Sequence, residues 1–567
     1  MDQNQFLNKM SANIKASTDG TQAIIGVGGV DQMTVSNAGV VTANSFVGLN
    51  NSSVTATGST TARTLANRFA DVVNVKDFGA VGDGVADDTA AIQAFFNFVT
   101  TNGKTGLLSE GQYKCDSGLT ITLGTASFRI IGNGSESTVI FASNLFTGSK
   151  FIEIIGTGTV TQWEIGSFRI VNSGSASGKV GLTIGSPLST TLIQGYHNSQ
   201  IHDIKLSNFE RLMDVVHARM IDFDRCGFWG EANTTDCTRI YQNGKFTGDL
   251  NFNSCQWVCH SNTPSKTGVR IISNFGLYSN LTGNNSIGGL RFNGCIFYSG
   301  EKAISLEAGS GSWIGEIFFT GGCQIDQETT NNIFVQCSSA SSVIDALTFD
   351  DIWLNRSTSA QMFFNSVSSG KIQNVFITNA SFLQGLDAGI KIVDPIGTNC
   401  SNFTIIGNTF LDQDYLAGGC IQIEGGTHLT IAFNKARRGL LNKFSGHLIK
   451  MFPNSSHFVI IGNDSKDITF GAVINDASGD VIKIIENNLG FNPVGESVVT
   501  VGASPFSLKN TSGYTENIYI VGGTVSNVNI NGFNVGYTGT GQLFALATGS
   551  TIVVTYTVAP SMYKRGI

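Results

Sequence analysis

Short stretches from residue 220 onward share one pattern, and their spacing constrains this chain more than any other feature. An apolar strand ends on a small or amide residue, followed closely by an aromatic or apolar side chain. Phe223-Asp-Arg-Cys226-Gly-Phe228, Phe252-Asn-Ser-Cys255-Gln-Trp257 and Phe292-Asn-Gly-Cys295-Ile-Phe297 carry it most clearly. Phe319-Thr-Gly-Gly-Cys323, Phe349-Asp-Asp-Ile352-Trp353, Asn379-Ala-Ser-Phe382, Gly407-Asn-Thr-Phe410 and Gly462-Asn463 continue it. The markers at 226, 255, 295, 323, 352, 380 and 408 lie 29, 40, 28, 29, 28 and 28 residues apart. The 40-residue step reads as one unit with an insertion around Asn274 to Gly289.

Periods in this range signal stacked solenoids. Sparse Leu and weak helical periodicity exclude leucine-rich and ankyrin-type repeats. Short strands with one apolar face predict an all-β right-handed parallel β-helix, with equivalent positions in columns about 4.8 Å apart. The Cys/Asn markers would then form an internal ladder of small residues at a turn. Composition agrees. Gly is high at 68 and Pro low at 7, while charged residues make up 13%, about half the usual share of roughly 25%. Phe (39), β-branched residues and turn formers suit strands joined by tight turns. With 41% hydrophobic residues a large core can be buried.

The formal charge of −7, without a long basic run, argues against nucleic-acid binding. A neutral or weakly charged polymer is a better match. No apolar run approaches the ~20 residues of a membrane span, and Met1–Met10 lacks the character of a signal peptide. Synthesis in a cytosol is expected. The ten cysteines include no CxxC pair, so they read as buried reduced thiols rather than a disulfide framework or zinc site. No cofactor or metal is expected.

Residues 1–50 differ from the rest. Asn4 to Lys15 reads as a short helix, and Met33 to Gly48 alternates apolar and polar residues. That alternation resembles the shaft segments of phage tail fibres, in which three chains wrap together. Residues 51–72 are a Ser/Thr/Ala-rich linker. Then comes Val73-Asn-Val-Lys-Asp-Phe-Gly-Ala-Val-Gly-Asp-Gly-Val-Ala-Asp-Asp-Thr-Ala-Ala-Ile-Gln-Ala-Phe-Phe96. It reads as a strand, a glycine turn and a helix N-capped by Asp87 or Asp88. Ile92, Phe95, Phe96 and Val99 fall on one helical face, suited to covering the open end of a solenoid. No Gly-Lys-Ser/Thr follows the glycine turn, and Asp83, Asp87 and Asp88 would repel phosphate. Turn and capping roles are assigned to these aspartates in preference to a metal site.

Residues 73–96 closely resemble a motif of the pectate-lyase-like superfamily, found in phage tailspikes and pectin-degrading enzymes. Thr60 to Phe69 is similar to tailspike linkers, and the fibre-like N-terminus favours the phage branch. The resemblance implies a homotrimer. The organisation expected is a virion-attachment segment (1–50), linker (51–72), motif and capping helix (73–100), β-helix with the substrate cleft (101–495), and strand-rich trimerisation or capping region (496–567).

Stacking also places candidate chemistry. Three to six residues after successive markers stand Trp229 and Glu231, Val258 and His260, Tyr298 and Glu301, Asp326 and Glu328, Asn355 and Arg356, and later Asp412 and Asp414. Trp257 is added as a stacking aromatic. Aromatic faces stack on sugar rings, and carboxylates grip hydroxyls and move protons. Glycoside hydrolysis uses two carboxyl groups ~5–5.5 Å apart for retention or ~6.5–9.5 Å for inversion. Glu301 with Glu328 or Asp326 is the expected catalytic pair, with Glu231, Trp229, Trp257, His260, Tyr298 and Arg356 binding substrate. Taken singly, each is more often a solvated turn residue or core group.

The resulting expectation is a phage tailspike depolymerase that hydrolyses host capsule or O-antigen. It would sit on the virion tail and be held through its N-terminus by the tail or an adaptor protein, without inserting into a membrane. One alternative is a polysaccharide lyase, using His260 or Tyr298 as base and Arg356 to neutralise a uronate. The other is an adhesin that binds without cutting.

Overall fold

The computed structural model describes residues 12–16, 22–27, 30–36, 41–43, 53–156, 162–185, 193–194, 199–242, 246–259, 266–273, 286–412, 419–437, 446–465, 474–491 and 495–566. Two units are distinct, residues 1–73 and 74–567. In the first, Ala12–Ala16, Gln22–Val27, Val30–Ser36 and Val41–Ala43 form an antiparallel sheet. The helix expected through Lys15 is therefore strand at Ala12–Ala16; its earlier residues lie outside those described.

The second unit is a parallel β-helix whose coils contribute strands to three sheets. The first sheet stacks strands such as Ala218–Asp224, Thr247–Asn253, Ser286–Asn293 and Trp313–Thr320. A turn leads to short strands of the second sheet, among them Gly227–Gly230, Gln256–Cys259 and Trp353–Asn355. The third sheet contains Arg211–Val216, Asp236–Gln242, Thr267–Ser273 and Met362–Ser366. Ile296–Ala308 and Gln324–Cys337 run uninterrupted through the second and third sheets. Pairing of Gln256 with Ile296 makes the long spacing a single coil. Its extra residues fall within 274–285, outside those described.

Each turn before a marker uses left-handed backbone. Arg225, Ser254, Gly294, Gly322, Asp351, Asn379 and Gly407 all have φ between 52° and 75°. That conformation costs most residues energy and is tolerated best by Gly and Asn. The marker side chain then bonds back to the preceding coil. Cys255, Cys295 and Cys323 donate to the carbonyls of Phe223, Phe252 and Phe292. Asn408, Asn434, Asn463 and Asn488 do the same to Ile377, Ile405, Ile431 and Ile460, at 2.9–3.1 Å. The ladder continues past residue 408 by exchanging thiol for amide.

Alternation along the strands fills the interior with equivalent residues from each coil. Phe223, Phe252, Phe292, Phe319 and Phe349 stack with centroids 4.5–5.4 Å apart and planes within 8°. This spacing follows the strand repeat, so one column of rings extends the core through five coils. All ten cysteines are free and buried.

The helix Thr89–Asn102 packs Ile92, Phe95, Phe96 and Val99 fully out of solvent. Gly106 permits this packing, because a Cβ there would lie 2.5 Å from Phe95 and 2.6 Å from Val99. Asp88 occupies the N-cap position, yet its carboxylate accepts from the Val81 and Gly82 amides of the glycine turn. Asp87 instead accepts from Thr89 N, and Asp83 from Val85 and Ala86. Near the C-terminus the repeat gives way to two four-stranded antiparallel sheets over a separate core containing Ile518, Ile520, Val528, Ile552, Val554 and Met562. Among the described residues no helix is long and apolar enough to cross a membrane.

Candidate functional site

The register aligns part of the expected stripe. Trp229, Val258, Tyr298, Asp326 and Asn355 are successive partners in the second sheet. Their side chains are already engaged. Lys205 Nζ lies 4.9 Å from the Trp229 ring centre. Tyr298 is 40% exposed and donates to Gln327. Asp326 accepts from Asn355 at 2.8 Å. Glu231 is an exposed turn residue. Arg356 occupies a left-handed turn and donates to Gln384. His260 lies outside the described residues.

Two expectations are corrected. Trp257 is fully buried, stacked between Phe228 and Phe297, with its indole N–H donating to Thr238. It belongs to the core, one position along the pleat from the outward column. Glu328 does not face Glu301 across neighbouring coils. It pairs with Gly300, after which the register shifts before Lys302 meets Asn331. Glu328 is 3% exposed, with Oε2 placed 3.1 Å from where a Gly300 Cβ would stand. Among the described residues neither of its oxygens has a hydrogen-bond partner. Burial, then the charges of Cys259 and Asp326, hold its carboxyl well above the usual carboxylate range. It is an interior acid.

Glu301 instead lines a cleft of about 650 Å³ over the third sheet, with Arg211, Asp236, Arg239, Arg270, Lys302, Glu307 and Phe334. The strands explain this gathering. Arg211, Asp236, Thr267 and Lys302 occupy one column of the register, while Asp214, Arg239, Arg270, Ser305 and Phe334 occupy the next outward one. Positions two or three apart thus bring four coils to one surface.

Most charges in the cleft are paired. Arg239 grips Asp214 through Nη2 and Nε at 2.7 and 3.2 Å, and Arg211 Nε adds a bond at 3.3 Å. Arg270 holds Glu307 at 2.8 and 3.0 Å, and Ser305 donates to it at 2.7 Å. Paired, bidentate contacts of this kind hold both partners in fixed positions. Asp236 is different. Only 7% exposed, it accepts no hydrogen bond among the described residues, and its nearest cation is Arg270 Nη1 at 4.0 Å. Burial is the main cause that raises its pKa to about 6, with Asp214 adding to it and Arg270, Arg239 and Arg211 acting against it. One protonatable acid therefore stands among fixed ion pairs, beside the less constrained Glu301, which lies 3.8 Å from Lys302 Nζ.

Sequence reasoning missed Asp236, Asp214, Glu307 and the three arginines. Its stripe was measured by offset from the markers. Asp236, Thr267 and Lys302 share a column at offsets of ten, twelve and seven residues. Turns of unequal length between the second and third sheets break any fixed count. Among the described residues no cluster of three metal-ligating side chains occurs.

A family model described as rhamnogalacturonase A/epimerase, pectate lyase-like, matches residues 72–295, less than half of the chain. That stretch is similar to this family. Mannuronan C5-epimerase AlgE5 of Azotobacter vinelandii is 44% identical over 72 residues, which are 12% of this chain. The chain matches only 7% of that relative's length. Among solved structures, the A-module of A. vinelandii mannuronan C-5 epimerase AlgE4 gives a TM-score of 0.47 at 15% identity, covering 74% of this chain and 99% of that one. The tailspike protein of E. coli bacteriophage HK620, in a double-mutant form, gives 0.45 at 12% identity, covering 92% and 98%.

Proposed function

We propose that this chain is a tailspike-type protein that binds and hydrolyses a bacterial surface polysaccharide in the cleft over its third sheet. One observation carries the reading: Asp236 is a nearly buried carboxyl, protonated into the mildly acidic range, at the floor of an open polar cleft. A group of that kind can give a proton to a leaving glycosidic oxygen. Asp214 and Glu307 are held by Arg239 and Arg270 at 2.7 and 2.8 Å and keep those arginines in place around Asp236.

Glu301 is the second carboxyl. Lys302, its neighbour in sequence, is two strand steps from Asp236 through Thr267, a backbone separation of about 10 Å. Inverting hydrolysis would require the two carboxyl groups ~6.5–9.5 Å apart, with room for a water between them. Glu301, 3.8 Å from Lys302 Nζ, would activate that water. Phe334, half-buried on the cleft wall, carries Lys302 Nζ 4.3 Å from its ring centre, so ring and cation line the cleft together.

A specific observation favours β-elimination as the second reading. Arg211, Arg239, Arg270 and Lys302 converge on the same cleft, where they could stabilise a uronate carboxylate as its neighbouring proton is removed. Product analysis separates the readings. Purified protein incubated with capsular polysaccharide should release reducing ends without the ultraviolet absorbance of an unsaturated uronate. Growth of that absorbance would establish elimination. Retained binding with neither product would leave an adhesin.

The same reading includes a homotrimer on a phage tail, attached through residues 1–50, with the helix Thr89–Asn102 closing one end of the solenoid. The fibre-like alternation at 33–48 and the tailspike-like linker at 60–69 support the phage context. An outward row across one C-terminal sheet supports self-association. Val498, Tyr563, Tyr519 and Leu543 are successive cross-strand partners. Val498 is 74% and Leu543 49% exposed, more apolar surface than a sheet face normally leaves in water.

A further inference from the structure

The outward face of the second sheet is the part of the expected stripe that the cleft does not use. Its residues form two columns. Gln256, Ile296, Gln324, Trp353, Ser381 and Thr409 are successive partners in one, and Val258, Tyr298, Asp326, Asn355, Leu383 and Leu411 in the other. Asp326 is the one charged residue among them, and it accepts from Asn355. Cations border the stretch at both ends, with Lys205 before it and Lys435 and Arg437 after it. The cleft over the third sheet, by contrast, is crowded with ion pairs.

The groups in the middle of this face are available. Tyr298 is 40% exposed with its hydroxyl tied to Gln327, and among the described residues neither a ring nor a cation lies against it. Trp353 is half-buried, and its indole N–H has no hydrogen-bond partner among the described residues. The exposed side-chain amides of Gln256 and Gln324 are unbonded there too. Core Trp257 shows the contrast, since its indole N–H is committed to Thr238. Trp229, one coil before Val258, carries Lys205 over its ring and belongs to the charged border.

Tyr298 and Trp353 lie two coils and two residues apart, with Gln324 in the coil between them, a backbone separation of roughly 12 Å. Two aromatic rings flanking an unbonded amide, without fixed charge, match sugar residues that carry hydroxyls alone. Rings stack on the apolar faces of such sugars, and an amide both donates to and accepts from hydroxyls. A contact between copies of the chain is a poorer match, because it would place unbonded amides at the apolar centre of an interface. The strand Ile296–Ala308 carries Tyr298 on this face and Glu301 in the cleft, three residues on. Face and cleft therefore meet at one corner of the solenoid. We propose that the face centred on Tyr298, Gln324 and Trp353 binds uncharged sugar residues of a polysaccharide whose neighbouring stretch lies in the cleft. The inference rests on the reading of the chain as a polysaccharide-cutting protein, and adds to it a site that holds the polymer without reacting with it.

Binding to capsular polysaccharide tests this, measured with the full chain carrying Asp236→Asn so that the polymer stays long. Adding Tyr298→Ala with Trp353→Ala should raise the dissociation constant roughly tenfold, the loss of two stacking contacts. The ratio should be the same at low and at high salt, because no charge makes the contact. Gln324→Ala, at an exposed position between the rings, should weaken binding in the same direction without touching either aromatic. Phe376→Ala removes a 44% exposed ring from the first sheet and should leave the constant unchanged. An unchanged constant in both the double variant and Gln324→Ala would overturn the proposal. So would an equal loss from Phe376→Ala, or a loss that vanishes at high salt and so marks a charged partner group. A fall in the mass of the assembly on double substitution would make the face a contact between copies instead. If the folded Asp236→Asn parent binds no polysaccharide, the polysaccharide reading falls and the face with it. A parent that binds, with variants that bind equally well, removes the face alone.

Discussion

Asp236 shows how environment decides the role of a residue. Its strand also carries Arg239, which is committed to Asp214, while Arg270 of the next strand is committed to Glu307. The cations that could have ionised Asp236 are thus occupied, and burial prevails. The sign of its stability effect follows. An unfolded aspartate titrates near ~3.9, whereas the folded group titrates at about 6. The folded state therefore binds the extra proton, so this contribution is complete below the unfolded value and is lost as pH rises through about 6. Its size is about 3 kcal/mol by linkage. Melting temperatures of wild type and Asp236→Asn measured from pH 4 to 7 should show a decline in wild type that the variant lacks. Activity should carry the same signature. If Asp236 gives the proton, the alkaline limb of the rate profile falls near pH 6. A profile flat to pH 8 would remove the acid from the mechanism.

Whole coils, rather than single residues, were the unit legible in sequence. The Cys/Asn ladder could be read because each marker follows a fixed short strand and one left-handed turn residue, so its spacing survives from coil to coil. Asn408 and Asn463 belong to it in the structure as in the sequence. Asn434 also belongs to the ladder, behind Phe433 in the left-handed turn position, and was not among the markers read from the sequence. The cleft was illegible for the opposite reason. Its columns lie beyond turns of variable length, and Glu301 entered the list by an offset that also selected interior Glu328. Trp257 was misplaced because one step along a pleated strand exchanges outside for inside. The ladder itself makes a prediction. Asn434 donates to Ile405 O and accepts from Asn408 Nδ2 at 2.9 Å. Asn434→Ala removes the amide and leaves buried partners unsatisfied, a cost of about 3 kcal/mol or more. Thermal unfolding should show the loss, whereas an exposed asparagine such as Asn233 should change by less than about 0.5 kcal/mol on the same substitution.

On the scale of the whole molecule, parallel coils provide a rigid surface on which distant stretches of sequence meet. Arg211, Asp236, Thr267 and Lys302 are spread over some ninety residues yet occupy four adjacent strands. Oligomerisation belongs to this scale too. Light scattering should return three times the 60.1 kDa of the chain. Val498→Asp combined with Leu543→Asp should shift that mass toward the single chain by placing charges in the apolar row. An unchanged trimer would locate the contact elsewhere, and a monomeric wild type would end the trimer reading.

The central claim is that a protonated Asp236 in the cleft over the third sheet cuts a polysaccharide. The most direct test is the rate of reducing-end release from capsular polysaccharide by wild type and Asp236→Asn, alongside their melting profiles at neutral pH. Loss of a general acid predicts a fall of roughly 10²–10⁴-fold, with the variant still folded and still binding polymer. A folded Asp236→Asn protein that releases reducing ends at the wild-type rate would contradict the account.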